Sequence, residues 1–83
     1  DVVDTVLERM GDVDKIILVG DYAKGNDSGI IEVFLIGKGL NMEYIVQLEE
    51  KIENLIGRKV NFYLASKFLA DREHIILFNS KEI

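Results

Sequence analysis

The stretch Ile16-Ile17-Leu18-Val19-Gly20-Asp21-Tyr22-Ala23-Lys24-Gly25 runs, after Asn26-Asp27, into Ser28-Gly29-Ile30-Ile31-Glu32-Val33-Phe34-Leu35-Ile36. Ile16 to Val19 is a short, wholly apolar segment, the pattern of a strand covered on both faces. Asp21 to Ser28 is polar and reads as a loop or a short helical turn. Gly20 and Gly25 suit positive φ in such a turn, and Asp21 is placed to cap it. Ile30 to Ile36 is a second, nearly all-apolar strand, in which Ile30 on this reading is ordinary core, and Gly37-Lys38-Gly39 ends it.

Outward from this pair, Val2, Val3, Val6, Leu7 and Met10 form an i, i+3, i+4 stripe, which predicts an amphipathic helix from Asp1 to Met10 ended by Gly11. Asp12-Val13-Asp14 reads as a turn. Downstream, Asn41 suits a helix cap, and Met42 to Ile56 carries Ile45, Leu48, Ile52, Leu55 and Ile56 on one face. Glu43, Glu49, Glu50 and Glu53 read as the solvated face, and Gly57 is placed to end the helix. Val60, Phe62 and Leu64 alternate with Lys59, Asn61 and Tyr63, as in a half-buried strand. Ser66 is placed to cap a short helix through Asp71, and Ile75 to Phe78 reads as a last strand at a sheet edge. The order predicts an α/β (α+β) fold, a small mixed sheet packed with helices. Its 83 residues make one domain, 1–83.

The chain resembles the minimal nucleotidyltransferase domain over residues 14–64. That family shows a strand, then Gly-Ser-x-Ala-x-Gly, a loop, and Ser-Asp-x-Asp entering a second strand; Gly-Asp-Tyr-Ala-Lys-Gly and Ser-Gly-Ile-Ile-Glu stand here instead. In the family, three aspartates hold two Mg²⁺ ions that grip a nucleoside triphosphate, and the Gly-Ser loop binds phosphate. Asp-x-Asp works because residues i and i+2 of a strand share a face. The resemblance maps the serine onto Asp21 and the three aspartates onto Ile30, Glu32 and Asn61. Ile30 offers no ligand, and Asn61 only a neutral carbonyl, too little for two hard cations. Asp21 adds a charge that repels phosphate, which Lys24 offsets in part.

The resemblance therefore implies a scaffold without catalytic residues, resident metal or cofactor. Gly20, Asp21, Lys24, Gly25, Glu32 and Asn61 would line a vestigial ligand pocket. The wording is that of nucleotidyltransferase-like domains that follow an ArsR-like winged-helix DNA-binding domain in bacterial regulators. It implies a non-catalytic sensor or dimerisation domain of a transcriptional regulator, the C-terminal part of a longer chain, partnered by a second copy or by the winged-helix domain. The alternative is an active enzyme that uses Mg²⁺ and a nucleotide. Asp21, Asp27 and Glu32 are then the candidates for a rearranged single-ion site. A third reading is an interaction domain with no pocket.

Composition narrows the classes. Ten basic residues are scattered among fifteen acidic ones, for a net charge of −5, whereas nucleic-acid binding rests on clustered Lys and Arg. Direct nucleic-acid contact by this domain is not expected. There is no cysteine, hence no disulfide framework or thiolate metal site. No apolar run reaches the ~18 residues of a membrane span, and no signal peptide is visible; a cytoplasmic protein is expected. The lone His74 has no carboxylate cluster near it in sequence and reads as a strand-end residue. Tyr22, Tyr44 and Tyr63 are half-buried edge residues or the rim of a pocket. Lys38, Arg58 and Lys59 are placed at a pocket mouth or on solvated strand ends.

Overall fold

The computed structural model describes residues 2–69 and 72–80. Its elements are α1 (Val2–Met10), β1 (Asp12–Val19), α2 (Gly20–Ala23), β2 (Ile30–Lys38), α3 (Met42–Ile56), β3 (Lys59–Ala65) and β4 (Ile75–Asn79). The strands form one sheet in the order β3-β2-β1-β4. β1 pairs antiparallel with both β2 and β4, while β2 and β3 run parallel. The parallel pair follows from its connection, since two parallel strands need a crossover and α3 supplies it. The architecture is the small mixed α+β fold that the order of the elements implies.

Alternation along the strands splits the core into two layers. Val33 and Leu35 of β2 face the helices and pack with Met10 of α1 and Ile45 of α3, flanked by Val6, Ile16, Leu48 and Phe62. On the opposite face Ile17, Val19 and Ile36 pack with Phe34, Ala65 and Phe68. Successive residues of β1 thus enter opposite layers, as its uninterrupted apolar run predicts. Leu35 is fully buried at the centre of this arrangement. No helix among the described residues is long and apolar enough to cross a membrane.

The structure departs from the sequence reading in several places, five of them in the elements and their packing. First, Asp12-Val13-Asp14 is strand rather than turn: β1 begins at Asp12, pairs there with Lys38, and absorbs an irregularity between Val13 and Lys15. The approach is close enough that a Cβ on Gly37 would overlap the Asp12 carbonyl oxygen. Second, no helix forms over Ser66 to Leu69; the chain bends so that Phe68 packs against the sheet, while Asp71, like Asp1, lies outside the described residues. Third, the apolar face of α3 ends at Ile52, and Leu55 is 79% and Ile56 40% exposed.

Fourth, two members of the supposed solvated face of α3 are engaged. Glu53 accepts a hydrogen bond from the Val60 N–H (2.8 Å) and Glu49 one from the Phe62 N–H (3.2 Å). They are i, i+4 neighbours on the helix and together satisfy two outward N–H groups of β3, those of Val60 and Phe62. Fifth, Ile30 is not core: it is 45% exposed at the start of β2. The caps of α3 are as the sequence implies. The Asn41 side chain accepts from Tyr44 N–H (3.2 Å), and Gly57 ends the helix at φ 66° with its N–H on the Glu53 carbonyl (2.9 Å).

Candidate functional site

β1 hands the chain to α2 at Gly20, and β2 and β3 begin beside that turn. Val19 pairs with Glu32, and Glu32 with Asn61, so the three stand in one row across the sheet. Residues i and i+2 share a face, which places Ile30 beside Glu32 on the layer opposite the helices. The Glu32 carboxylate lies against Gly20, where a Cβ would overlap its Oε2. Gly20 also adopts φ 72°, so glycine answers two demands here. Glu32 Oε1 accepts a hydrogen bond from the Tyr63 hydroxyl (3.1 Å). That bond, then burial and the nearby negative charge of Glu32, push the Tyr63 phenol above its ordinary pKa, while an Asn61 side-chain hydrogen bond pulls the other way.

Gly20, Glu32 and Asn61 are therefore brought together, with Tyr63 as a fourth member. Asp21, Lys24 and Gly25 are exposed on the turn, and no side-chain hydrogen bond or ion pair joins them to Glu32. Asp21 does not cap α2: the N-cap position is Val19, with no side-chain cap. The Asp21 carbonyl instead accepts from the Lys24 (3.1 Å) and Asn26 (2.8 Å) N–H groups, which closes the turn.

Asp27 is held elsewhere. Arg58 donates to it through Nε (3.0 Å) and Nη2 (2.7 Å), and the Tyr22 hydroxyl donates to Asp27 Oδ1. The Tyr22 oxygen in turn accepts from Arg58 Nε (3.0 Å) and from the Gly29 N–H (3.2 Å). The Arg58 hydrogen bonds, followed by that of Tyr22, hold the Asp27 carboxyl well below the usual carboxylate range, and Asp27 raises the Arg58 guanidinium in return. Asp27, Arg58 and Tyr22 thus latch the loop ahead of β2 to the loop ahead of β3. Asp21, Asp27 and Glu32 do not form one cluster, and among the described residues no group of three His, Cys, Asp or Glu side chains is placed to share an ion.

No protein-family model matches this chain, and no curated protein does. What the site can do therefore rests on its own chemistry. Glu32 is one carboxylate, already engaged by Tyr63 and flanked by the hydrocarbon of Ile30 and the amide of Asn61. Such a set can hold a polar group by hydrogen bonding, but it lacks the clustered negative charge that grips hard cations.

Other candidates are placed plainly. Lys38 is at the far end of β2, six residues or ~20 Å from Glu32, beside Asp12, and so lies away from the site. Lys59 pairs with Ile30 at the near end. Tyr44 packs into the helix-side core. His74 donates from Nδ1 to the Arg72 carbonyl (2.9 Å), and its ring meets Phe68 edge-on at 5.1 Å. The Tyr22–Asp27–Arg58 latch went unread in the sequence. Its signal is that residues just ahead of two parallel strands stand side by side.

Proposed function

We propose that this chain is a non-catalytic nucleotidyltransferase-like domain that serves sensing and dimerisation in a bacterial transcriptional regulator. The observation that carries it is the row Val19–Glu32–Asn61. The two positions that the resemblance equates with metal-binding aspartates, Glu32 and Asn61, are direct cross-strand neighbours, and Ile30 shares their face. This supports the mapping, and with it the loss of the metal-binding set: one carboxylate remains of three. Glu32 also fills the space above Gly20, where the family's loop would receive phosphate.

The dimerisation half of the proposal draws support from β4. This edge strand leaves Ile75, Ile76 and Leu77 exposed, and apolar edges tend to be covered. An 83-residue domain gains from such cover because its own core is small. The partner proposed for this edge is a second copy of the chain.

Incubation with labelled ATP and Mg²⁺ or Mn²⁺ tests the absence of catalysis. No stable label transfer is expected, and transfer that vanishes in Glu32→Ala would overturn the proposal. The mapping itself is tested by the combined variant Ile30→Asp, Glu32→Asp, Asn61→Asp, Asp21→Ser, which should raise Mg²⁺-nucleotide affinity. A folded variant that binds no better than the parent refutes it. A winged-helix sequence encoded upstream of Asp1 is the expected finding for the regulator assignment.

A further inference from the structure

On the layer opposite the helices, one row beyond Glu32, the sheet carries a hollow of about 240 Å³ lined by Phe34, Lys67, Phe68, Leu69 and Arg72. Its floor is the Phe34 ring. That ring is fixed from two sides, by Tyr63 at a centroid distance of 5.3 Å and by Phe68 at 5.5 Å. The Arg72 guanidinium carbon lies 5.8 Å from the Phe34 centroid, in cation–π range. Its backbone is tied by the hydrogen bond from His74, whose ring also buttresses Phe68.

The charge of this lining is unlike that of the chain. Fifteen acidic residues outnumber ten basic ones overall, yet among the described residues the lining carries two cations, Lys67 and Arg72, and no carboxylate. Among the described residues neither Lys67 nor Arg72 is joined to an acidic side chain; the ion pair there is Arg58–Asp27, at another end of the sheet. Two cations beside an aromatic floor suit an anion with a planar apolar body. Size narrows the class further. Sites for drug-sized ligands occupy ~300–1,000 Å³, so this hollow fits a single ring rather than a nucleotide.

We propose that the hollow between Phe34, Phe68 and Arg72 binds a small aromatic carboxylate. The ring lies against Phe34 and Phe68, and the carboxylate accepts hydrogen bonds from the Arg72 guanidinium, a planar donor matched to carboxylate oxygens, with the Lys67 ammonium beside it. The assignment deepens the sensing role proposed above by giving it a ligand class and a place distinct from the Glu32 row. The open rim predicts millimolar affinity.

The test is a titration of the isotope-labelled chain followed by NMR, with benzoate as the probe and cyclohexanecarboxylate, inorganic phosphate and AMP as comparators. Saturable benzoate shifts centred on Phe34, Phe68 and Arg72 are expected, with the three comparators several-fold weaker. Arg72→Gln should weaken benzoate about tenfold, Arg72→Lys less, and Lys67→Gln two- to threefold; both positions are exposed, so the variants fold. No saturable binding overturns the proposal. So does equal binding of cyclohexanecarboxylate or phosphate, tighter binding of AMP, or affinity unchanged in Arg72→Gln. This measurement is independent of the label-transfer assay: the hollow can fail while the non-catalytic reading stands, and label transfer would sink that reading without touching the hollow.

Discussion

At the β3 edge of the sheet the outward N–H groups of Val60 and Phe62 meet the carboxylates of Glu53 and Glu49, whereas at the β4 edge Ile75, Ile76 and Leu77 stand 45, 46 and 57% exposed. The one irregularity on the β4 side is a bulge, where the pairing with β1 shifts between Ile16 and Ile17. A bulge bends an edge but does not cover its side chains. The helix layer explains the asymmetry. α3 is the crossover into β3 and lies beside it, so its polar face is at hand there, while no helix among the described residues joins β1 to β4. One edge is partly covered from within, and the other leaves its apolar side chains exposed.

Four variants probe this contrast. Ile17→Ala strikes where β4 meets β1, since Ile17 pairs with Ile76 and is almost wholly buried. It should cost about 2–5 kcal/mol in denaturant unfolding. A loss below 1 kcal/mol would mean that the β4 side adds little to the core. The pair Glu49→Ala, Glu53→Ala reopens the β3 edge, and a destabilisation of roughly 1–3 kcal/mol is expected from the two lost hydrogen bonds. New self-association should accompany it in sedimentation velocity.

On the opposite edge, Ile76→Lys with Leu77→Lys should shift stability by no more than about 0.5 kcal/mol, as exposed substitutions do, yet abolish any dimer of the parent. A dimer that persists would place its interface elsewhere. The smallest effect belongs to the latch, which is exposed and touches neither edge. Arg58 lowers the Asp27 pKa in the folded state, so the stabilisation is present above the ordinary carboxylate range and is lost as pH falls through the depressed value. Arg58→Gln should therefore lower the thermal midpoint slightly at neutral pH, with the difference shrinking below about pH 4. A difference that grows on acidification would contradict the latch.

The contrast also marks what the sequence could and could not reveal. β1 and β2 are legible because unbroken runs such as Ile16 to Val19 have few alternatives to a doubly covered strand. The caps of α3 are legible because Asn41 and Gly57 act within their own turn. In sequence Glu49 and Glu53 read as a solvated face because periodicity tells which side of a helix is polar, not what lies beside it. The helix placed from Ser66 failed for a related reason: its local cap signal lost to the burial of Phe68 beside Phe34. At the candidate site, Glu32 and Asn61 could be set side by side through the resemblance. The contacts of Tyr22 with Arg58 and of Tyr63 with Glu32 could not, since they join residues 36 and 31 positions apart in sequence.

The closure of β3 also works as a gauge of length. Four residues of helix advance ~6 Å and two residues of strand ~6.6 Å, so Glu49 and Glu53 can meet Phe62 and Val60 together only while the Gly57-Arg58 connection keeps its present size. One inserted residue would slide β3 past α3 by a strand step and turn its side chains to the wrong layer. Both carboxylates would lose their partners at once, and Arg58 would be carried away from Asp27. Indels in this two-residue joint should thus be far less tolerated than in the longer polar turn from Lys24 to Ser28.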